Sequence, residues 1–405
     1  MAGDEWIGAG AATERLGVKH QTLYAYVSRG LIRSTRAPGS RSSRYARADV
    51  ERLAARARRR SAEGGPEIVV DSAITALDPA GRLSYRGWDA TRAAVDAHYE
   101  QVAAWLWGIP SGPHEHWTAA PDGLALARGV QAALPADAAL PDRLRVVVAA
   151  LRTVDPLRDD RRTPSVAARA GALIATLVEA LPPADARDRP VSTGSIARRL
   201  WTRVSPLEPT SSRVRALDRA LSLLADHELA TSTLAVRVAA STWADPYLLL
   251  LAGLATAGGP LHGGASEVVR ALLREAVDDS GEVAVGRALR EDRPVPGFGH
   301  LVYAGPDPRA PVLLDAVERS RPPRALWRAA VQVLDVMARD DGPFPNIDFP
   351  LGVLAEAGRM VPGAGETVFT IARCAGWIAH GLEEYPYRLR YRVRAAYTGP
   401  PTTDR

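Results

Sequence analysis

An all-α body preceded by a small basic module is the architecture this sequence predicts, on three observations. From Glu67 onward, apolar residues recur at three- and four-residue spacing in Val95 to Trp107, Leu144 to Val154, Ser165 to Leu181, Val214 to Ala225, Glu267 to Ala276, Ala325 to Ala338 and Thr367 to Leu382. That is the period of a helix with one buried face. Proline and glycine clusters separate these stretches, and strands are few, with Arg82-Leu83-Ser84-Tyr85 a candidate. Charge is uneven: the 405 residues carry +5 overall, yet residues 1–60 hold 13 Arg and Lys against 5 Asp and Glu, leaving the rest slightly acidic. A basic module on a near-neutral body is the charge footprint of nucleic-acid binding.

Within the module, a first helix spans about Ala9 to Leu16 and breaks at Gly17. A second runs from about His20 to Ser28 and stops at Gly30. Leu31 to Tyr45 has strand patterning around the turn Ala37-Pro38-Gly39-Ser40. A third helix covers Ala48 to Arg60, acidic at its start and basic at its end, as the helix dipole favours. Gly8-Ala9-Gly10 is no dinucleotide fingerprint, because it lacks a third glycine and a preceding strand. Ser61 to Pro66 reads as a linker.

Composition excludes several classes. The hydrophobic share of 46% and charged share of 24% are globular values. A single cysteine, Cys374, excludes a disulfide framework and reads as a packed thiol. The acidic N-terminal residues and the lack of any 18-residue apolar run predict neither secretion nor a membrane span, hence a cytoplasmic protein.

Chemistry-bearing residues gather in four segments of the body. Ala225 to Thr233 holds His227, which read alone is a core residue. Gly258 to Glu267 places His262 before a helix starting near Gly264, whose positive end keeps an imidazole neutral. Val295 to Arg309 sets His300 and Arg309 nine residues apart. There an arginine can clamp a keto acid's carboxylate while the histidine polarises its carbonyl. Phe344 to Phe349 flanks Asp348 with apolar residues, which raise a carboxyl pKa and make a stronger base. Read alone, Asp348 also fits as the cap of a helix starting at about Phe349. His114-Glu115-His116 has metal-like residue types without an obvious third ligand, His98 reads as a helix-surface residue, and His380 as structural.

Two resemblances follow from these residues. "AATERLGVKHQTLYAYVSRGLI" with "SRYARADVERL" resembles the winged helix–turn–helix of the MerR and excisionase type. That implies base readout by Gln21 and Thr22 and phosphate contacts by Arg36, Arg41 and Arg44. "ADHELATST", "GGPLHGGASEVV", "VPGFGHLVYAGPDPRA", "FPNIDFPLGVL" and "IARCAGWIAHGLEE" resemble the citrate synthase motifs, in that family's order.

The second resemblance implies a body of two helical domains that closes over substrate. A large domain would comprise residues 67–263 and 360–405, with a small one at 264–359, after a 1–60 module and a 61–66 linker. It implies Asp348 as the base that deprotonates acetyl-CoA, His262 as donor to the enol oxygen and His300 as the group polarising oxaloacetate. It further implies His227, Arg309 and Arg373 on oxaloacetate, and Arg392 reaching across a homodimer to the partner's site. Citrate and CoA are the implied products, with no cofactor and no metal. Propionyl-CoA, giving 2-methylcitrate, is an alternative, as is a DNA-binding regulator with this body as sensor. The pattern departs from the family at Leu301 and Ala304, where basic residues usually hold CoA phosphates, and at Ala230, Leu224 and Val393.

Overall fold

The computed structural model describes residues 6–16, 23, 26–27, 32–36, 43–51, 69–78, 81–112, 116–185, 193–259, 264–291, 293–300, 302–303, 305–339 and 343–391. The chain divides into two compact units, Met1–Asp71 and Ser72–Arg405.

In the first unit, β1 (Trp6–Gly8), β2 (Ser34–Arg36) and β3 (Ser43–Ala46) form an antiparallel sheet in the order β1-β3-β2. The helix α1 (Ala9–Leu16) follows β1 directly. The sequence reading placed no strand before Gly8; a three-residue one is there. It pairs antiparallel with β3, Trp6 opposite Ala46, and so does not build the parallel βα unit a dinucleotide fold needs. Ala12, Leu16, Leu23, Ile32, Tyr45 and Val50 make a separate small core. Leu23, Tyr26, Val27 and residues 47–51 are helical. Buried Asp49 accepts from the Arg33 backbone N–H and Nε, both at 3.0 Å, tying β2 to the third helix.

The second unit opens with an antiparallel sheet, β4 (Thr75–Asp78), β5 (Arg82–Tyr85) and β6 (Trp88–Asp89). Helices follow: α2 (Ala90–Asp96), α3 (Tyr99–Trp107), α4 (Pro121–Ala132), α5 (Leu140–Arg152), α6 (Thr163–Ala180), α7 (Ile196–Val204), α8 (Ser211–Leu224), α9 (Thr231–Ser241), α10 (Pro246–Ala257), α11 (Ala265–Asp278), α12 (Gly281–Arg290), α13 (Arg309–Arg319), α14 (Arg324–Met337), α15 (Asp348–Ala357) and α16 (Ala364–Glu384). One apolar core runs through this unit. The 21-residue α16 is buried along most of its length and packs on α3, α8, α9 and α10.

Val95 to Trp107, expected as one helix, is two. Ala97 turns extended, and His98 becomes the N-cap residue of α3, its N–H donating to Gln101 Oε1 at 3.0 Å. The His98 ring lies 2.7 Å from Asp218, so it joins helices and is more than a surface residue. Elsewhere aspartates cap helix starts. Asp89 accepts from the Thr91 and Arg92 N–H groups, and Asp245 opens α10 just ahead of Pro246.

Candidate active site

Polar side chains from separate stretches of the second unit meet in one cavity of about 190 Å³, lined by His227, His300, Arg309, Asp348 and Arg373. Ala230, Ser266, Ile347, Leu351, Glu366 and Phe369 also line it.

His300 and Asp348 meet because two loops are stitched together. Gly299 N–H donates to Phe344 O at 2.8 Å and Asn346 N–H to Gly297 O at 2.9 Å. Asn346 Nδ2 donates to Gly299 O, while its Oδ1 accepts from Asp348 N–H at 2.9 Å. Gly297 has φ +81°, and a Cβ there would stand 2.8 Å from Phe349 Cβ, so backbone and space both require glycine.

Asp348 is the first residue of α15 and makes no side-chain cap bond, so the cap alternative fails. Burial, with a smaller contribution from Asp307, raises its carboxyl above the ordinary range against the opposing charge of Arg309. A carboxylate desolvated in this way is the stronger base.

Two histidines are held neutral. His300 Nδ1 lies 3.0 Å from Val302 N and 3.3 Å from Tyr303 N. Both are donors, so Nδ1 accepts and the proton sits on Nε2. Burial, then Arg309, pulls this imidazole below its ordinary pKa. Burial, then Arg309, Arg373 and His300, pulls His227 down further. His227 Nε2 lies 3.2 Å from Tyr303 Oη, and the two imidazole centroids are 5.1 Å apart.

The arginines are anchored from behind. Asp307 accepts from Arg309 Nε at 2.9 Å and Nη2 at 2.8 Å, a bidentate clamp that does not engage Nη1. The same carboxylate accepts from Arg309 N–H and from Ile347 N–H, both at 3.0 Å. Arg373 Nε donates to Leu224 O at 2.9 Å, and its guanidinium lies 4.8 Å over the Phe369 ring. At Leu224, a departure from the family pattern, the backbone carbonyl does the anchoring.

The structure thus gathers His227, His300, Arg309, Asp348 and Arg373. His262 and Arg392 lie outside the described residues, as do Leu301, Ala304 and His114. A second cavity of about 590 Å³ shares His227, Ala230 and His300 with the first and is lined further by Phe298, Val302 and Asn346. Sequence reasoning gave no role to Asp307, Tyr303 or Asn346. The two-residue spacings Asp307 to Arg309 and Asn346 to Asp348 were the available signal. In the first unit Arg44 is exposed on β3 and Arg36 ends β2 opposite Ser43, while Gln21, Thr22 and Arg41 lie outside the described residues. Among the described residues, no three His, Cys, Asp or Glu side chains are placed to hold a metal ion, and no helix is long and apolar enough to cross a membrane. Cys374 is buried and free, its thiol pushed by burial to about 12.

A helical body with a desolvated carboxylate, neutral imidazoles and anchored arginines in one cavity defines a condensing enzyme of the acyltransferase class. Residues 66–394 match the model of the citrate synthase C-terminal domain, and residues 9–63 that of MerR HTH family regulatory proteins. The chain belongs to the citrate synthase family and carries a MerR-type helix–turn–helix domain ahead of the enzyme body. It is 29% identical over 363 residues to citrate synthase of Haloferax volcanii, covering 83% of this chain and 95% of that one. It is 30% identical over 355 residues to 2-methylcitrate synthase of Mycobacterium tuberculosis, covering 82% and 89%. Crystalline citrate synthase of Pyrobaculum aerophilum superposes with a TM-score of 0.68 at 26% identity, over 83% of this chain and 92% of that one. The Thermoplasma acidophilum citrate synthase, solved as a ternary complex, shares the fold at TM-score 0.65 and 24% identity, over 84% of this chain and 96% of that one.

 The ligands of that ternary complex are carboxymethyl coenzyme A and oxaloacetate.

Proposed function

We propose that the chain condenses acetyl-CoA with oxaloacetate to give citrate and CoA. The observation that carries this reading is the raised carboxyl of Asp348 in one cavity with two neutral imidazoles and two anchored arginines. Asp348 removes a proton from the thioester methyl. His262, before the N-terminus of α11, donates to the resulting enol oxygen. The carbon attacks the ketone of oxaloacetate, whose oxygen accepts from His300 Nε2–H as it becomes a hydroxyl. Hydrolysis of the citryl thioester releases CoA. His227, Arg309 and Arg373 hold the two carboxylates, and Arg392 is contributed by the partner in a homodimer. Closure of the 264–359 domain on the rest excludes water from the enolate. The chemistry calls for neither cofactor nor metal, and the proposed compartment is the cytoplasm.

A thioester α-proton is a far weaker acid than a carboxyl group, so the base works only beside a placed donor in a dry site. Propionyl-CoA, giving 2-methylcitrate, is the second reading, favoured by the similarity to a 2-methylcitrate synthase. Release of free CoA by the purified protein, with oxaloacetate and either thioester, tests both. The larger kcat/KM identifies the substrate, and no release from either thioester overturns the proposal.

The basic module adds a proposed DNA partner. Arg36, Arg41 and Arg44 would contact phosphates, and Gln21 and Thr22 would read bases. The expected result is a gel shift whose log affinity falls with log salt by about 0.9 per phosphate neutralised. Changing Gln21 and Thr22 should flatten sequence preference more than affinity. No shift at low salt beyond that of a chain lacking residues 1–60 overturns this part.

A further inference from the structure

Behind the cavity lies a buried chain of polar side chains to which the proposed reaction assigns no role. Asp226, next to His227, is fully buried. Its Oδ2 accepts from Thr75 Oγ1 at 2.5 Å and lies 3.2 Å from His380 Nε2. His380, also fully buried, has its Nδ1 2.8 Å from Arg237 Nη1. A guanidinium has no acceptor, so His380 Nδ1 must accept, and its proton sits on Nε2 and points at Asp226. The tautomer is fixed by its neighbours.

Arg237 is itself enclosed. Its Nε donates to Glu384 Oε2 at 2.9 Å and its Nη1 to Glu383 Oε2 at 2.7 Å. Tyr391 Oη lies 3.2 Å from the same Nε and 3.0 Å from Glu384 Oε2. At the other end, Asp226 faces α16. Gly376 N–H donates to Ala225 O at 3.0 Å, and a Cβ at Gly376 would stand 2.2 Å from Asp226 Oδ1. Arg373 lies one turn before Gly376, on the same face of α16. Burial opposes ionisation of Asp226, but His380, Arg373 and Thr75 hold its carboxyl below the ordinary range. Arg373 is tied to the same turn, its Nε donating to Leu224 O two residues before Asp226, and the Asp226 carboxylate acts on it as an opposite charge within the buried cluster.

We propose that His380 is a positioning residue. It donates to Asp226 from a tautomer set by Arg237, and so fixes the guanidinium of Arg373 toward a bound dicarboxylate. The inference rests on the reading that Arg373 binds oxaloacetate. Removing the imidazole leaves Asp226 free to turn, and Arg373 loses its aim. The acyl-CoA side of the site does not depend on this contact. A glutamine at 380 has a donor and an acceptor to offer the same two partners.

The test is oxaloacetate binding to the full chain by calorimetry, with both KM values measured in parallel. His380→Leu should weaken oxaloacetate at least 10-fold in Kd and KM, with the acyl-CoA KM changed less than 2-fold. His380→Gln should recover most of the loss. Thr75→Val, which removes the other donor to Asp226 while keeping side-chain shape, should weaken oxaloacetate several-fold and supplies the readout if His380→Leu does not fold. Unchanged oxaloacetate binding in folded His380→Leu or in Thr75→Val, beside a wild type that binds, overturns the inference alone. Equal losses for both substrates also overturn it, because that is the signature of a merely structural role. A wild type that does not bind oxaloacetate overturns the functional reading and this inference with it.

Discussion

Replacing Asp348 with Asn is expected to lower kcat by at least about 10²-fold, the scale of losing a placed general base. That corresponds to about 2.7 kcal/mol of transition-state stabilisation. The amide keeps the size of the side chain and leaves the Asn346 bond to the 348 backbone N–H intact, so α15 starts as before. Stability should move in the other direction. Burial raises the Asp348 carboxyl, so the ionised form is less favourable in the folded chain than in the unfolded one. The associated stability is fully present below the unfolded pKa of about 3.9 and is lost as pH rises through the higher folded value. Asp348→Asn carries no such loss, so its Tm should match or exceed wild type at neutral pH, with the advantage shrinking in acid. A folded variant with near-normal turnover would remove Asp348 from the role of base. A variant less stable at pH 7 than at pH 4, relative to wild type, would contradict the burial argument.

Much of this was legible in the sequence, and the misses have identifiable causes. The helix at Ala9 to Leu16 was placed to the residue because Gly17 marks its end and its apolar spacing is regular. Of the seven helical stretches read in the body, all but Val95 to Trp107 match single helices within a few residues of their ends, whereas α4, α7, α9, α12 and α13 were not singled out. The helix α10 was not singled out because "PYLLLLAGLATA" is apolar around its whole circumference and has no period to read. The break at Ala97 escaped because the apolar spacing continues across it, while the stop comes from Gln101 and Asp218 binding His98. In the site, His300, Arg309 and Asp348 were visible because polar residues between glycines and prolines stand out from helical background. Asp226 and His380 were not, because a polar residue in an apolar helix reads as packing until its partners are known. Those partners are distant in sequence: Thr75 for Asp226 and Arg237 for His380.

Replacing Asp307 with Asn is expected to raise the oxaloacetate KM by about 10²-fold and to destabilise the fold. One carboxylate receives four donors: Arg309 N–H, Nε and Nη2, and Ile347 N–H. Asp307 and Arg309 are both almost fully buried, so neither charge has water as a substitute partner. An asparagine keeps one acceptor oxygen but turns an amide NH₂ toward two groups that can only donate. Breaking a buried pair from one side costs about 3–5 kcal/mol, because the remaining charge is uncompensated. Arg309 then loses its aim, and Ile347, which directly precedes Asp348, loses its tether. The pH dependence separates this account from simple misfolding. Burial opposes ionisation of Asp307, but the Arg309 charge and hydrogen bonds hold its carboxyl below the ordinary range. The stability from this shift is present above the unfolded pKa of about 3.9 and is lost as pH falls toward the folded value. The Tm gap between wild type and Asp307→Asn should therefore be full from about pH 5 upward and narrow below about pH 4. A gap that stays constant across that range, or an oxaloacetate KM within 3-fold of wild type in the folded variant, would refute the clamp.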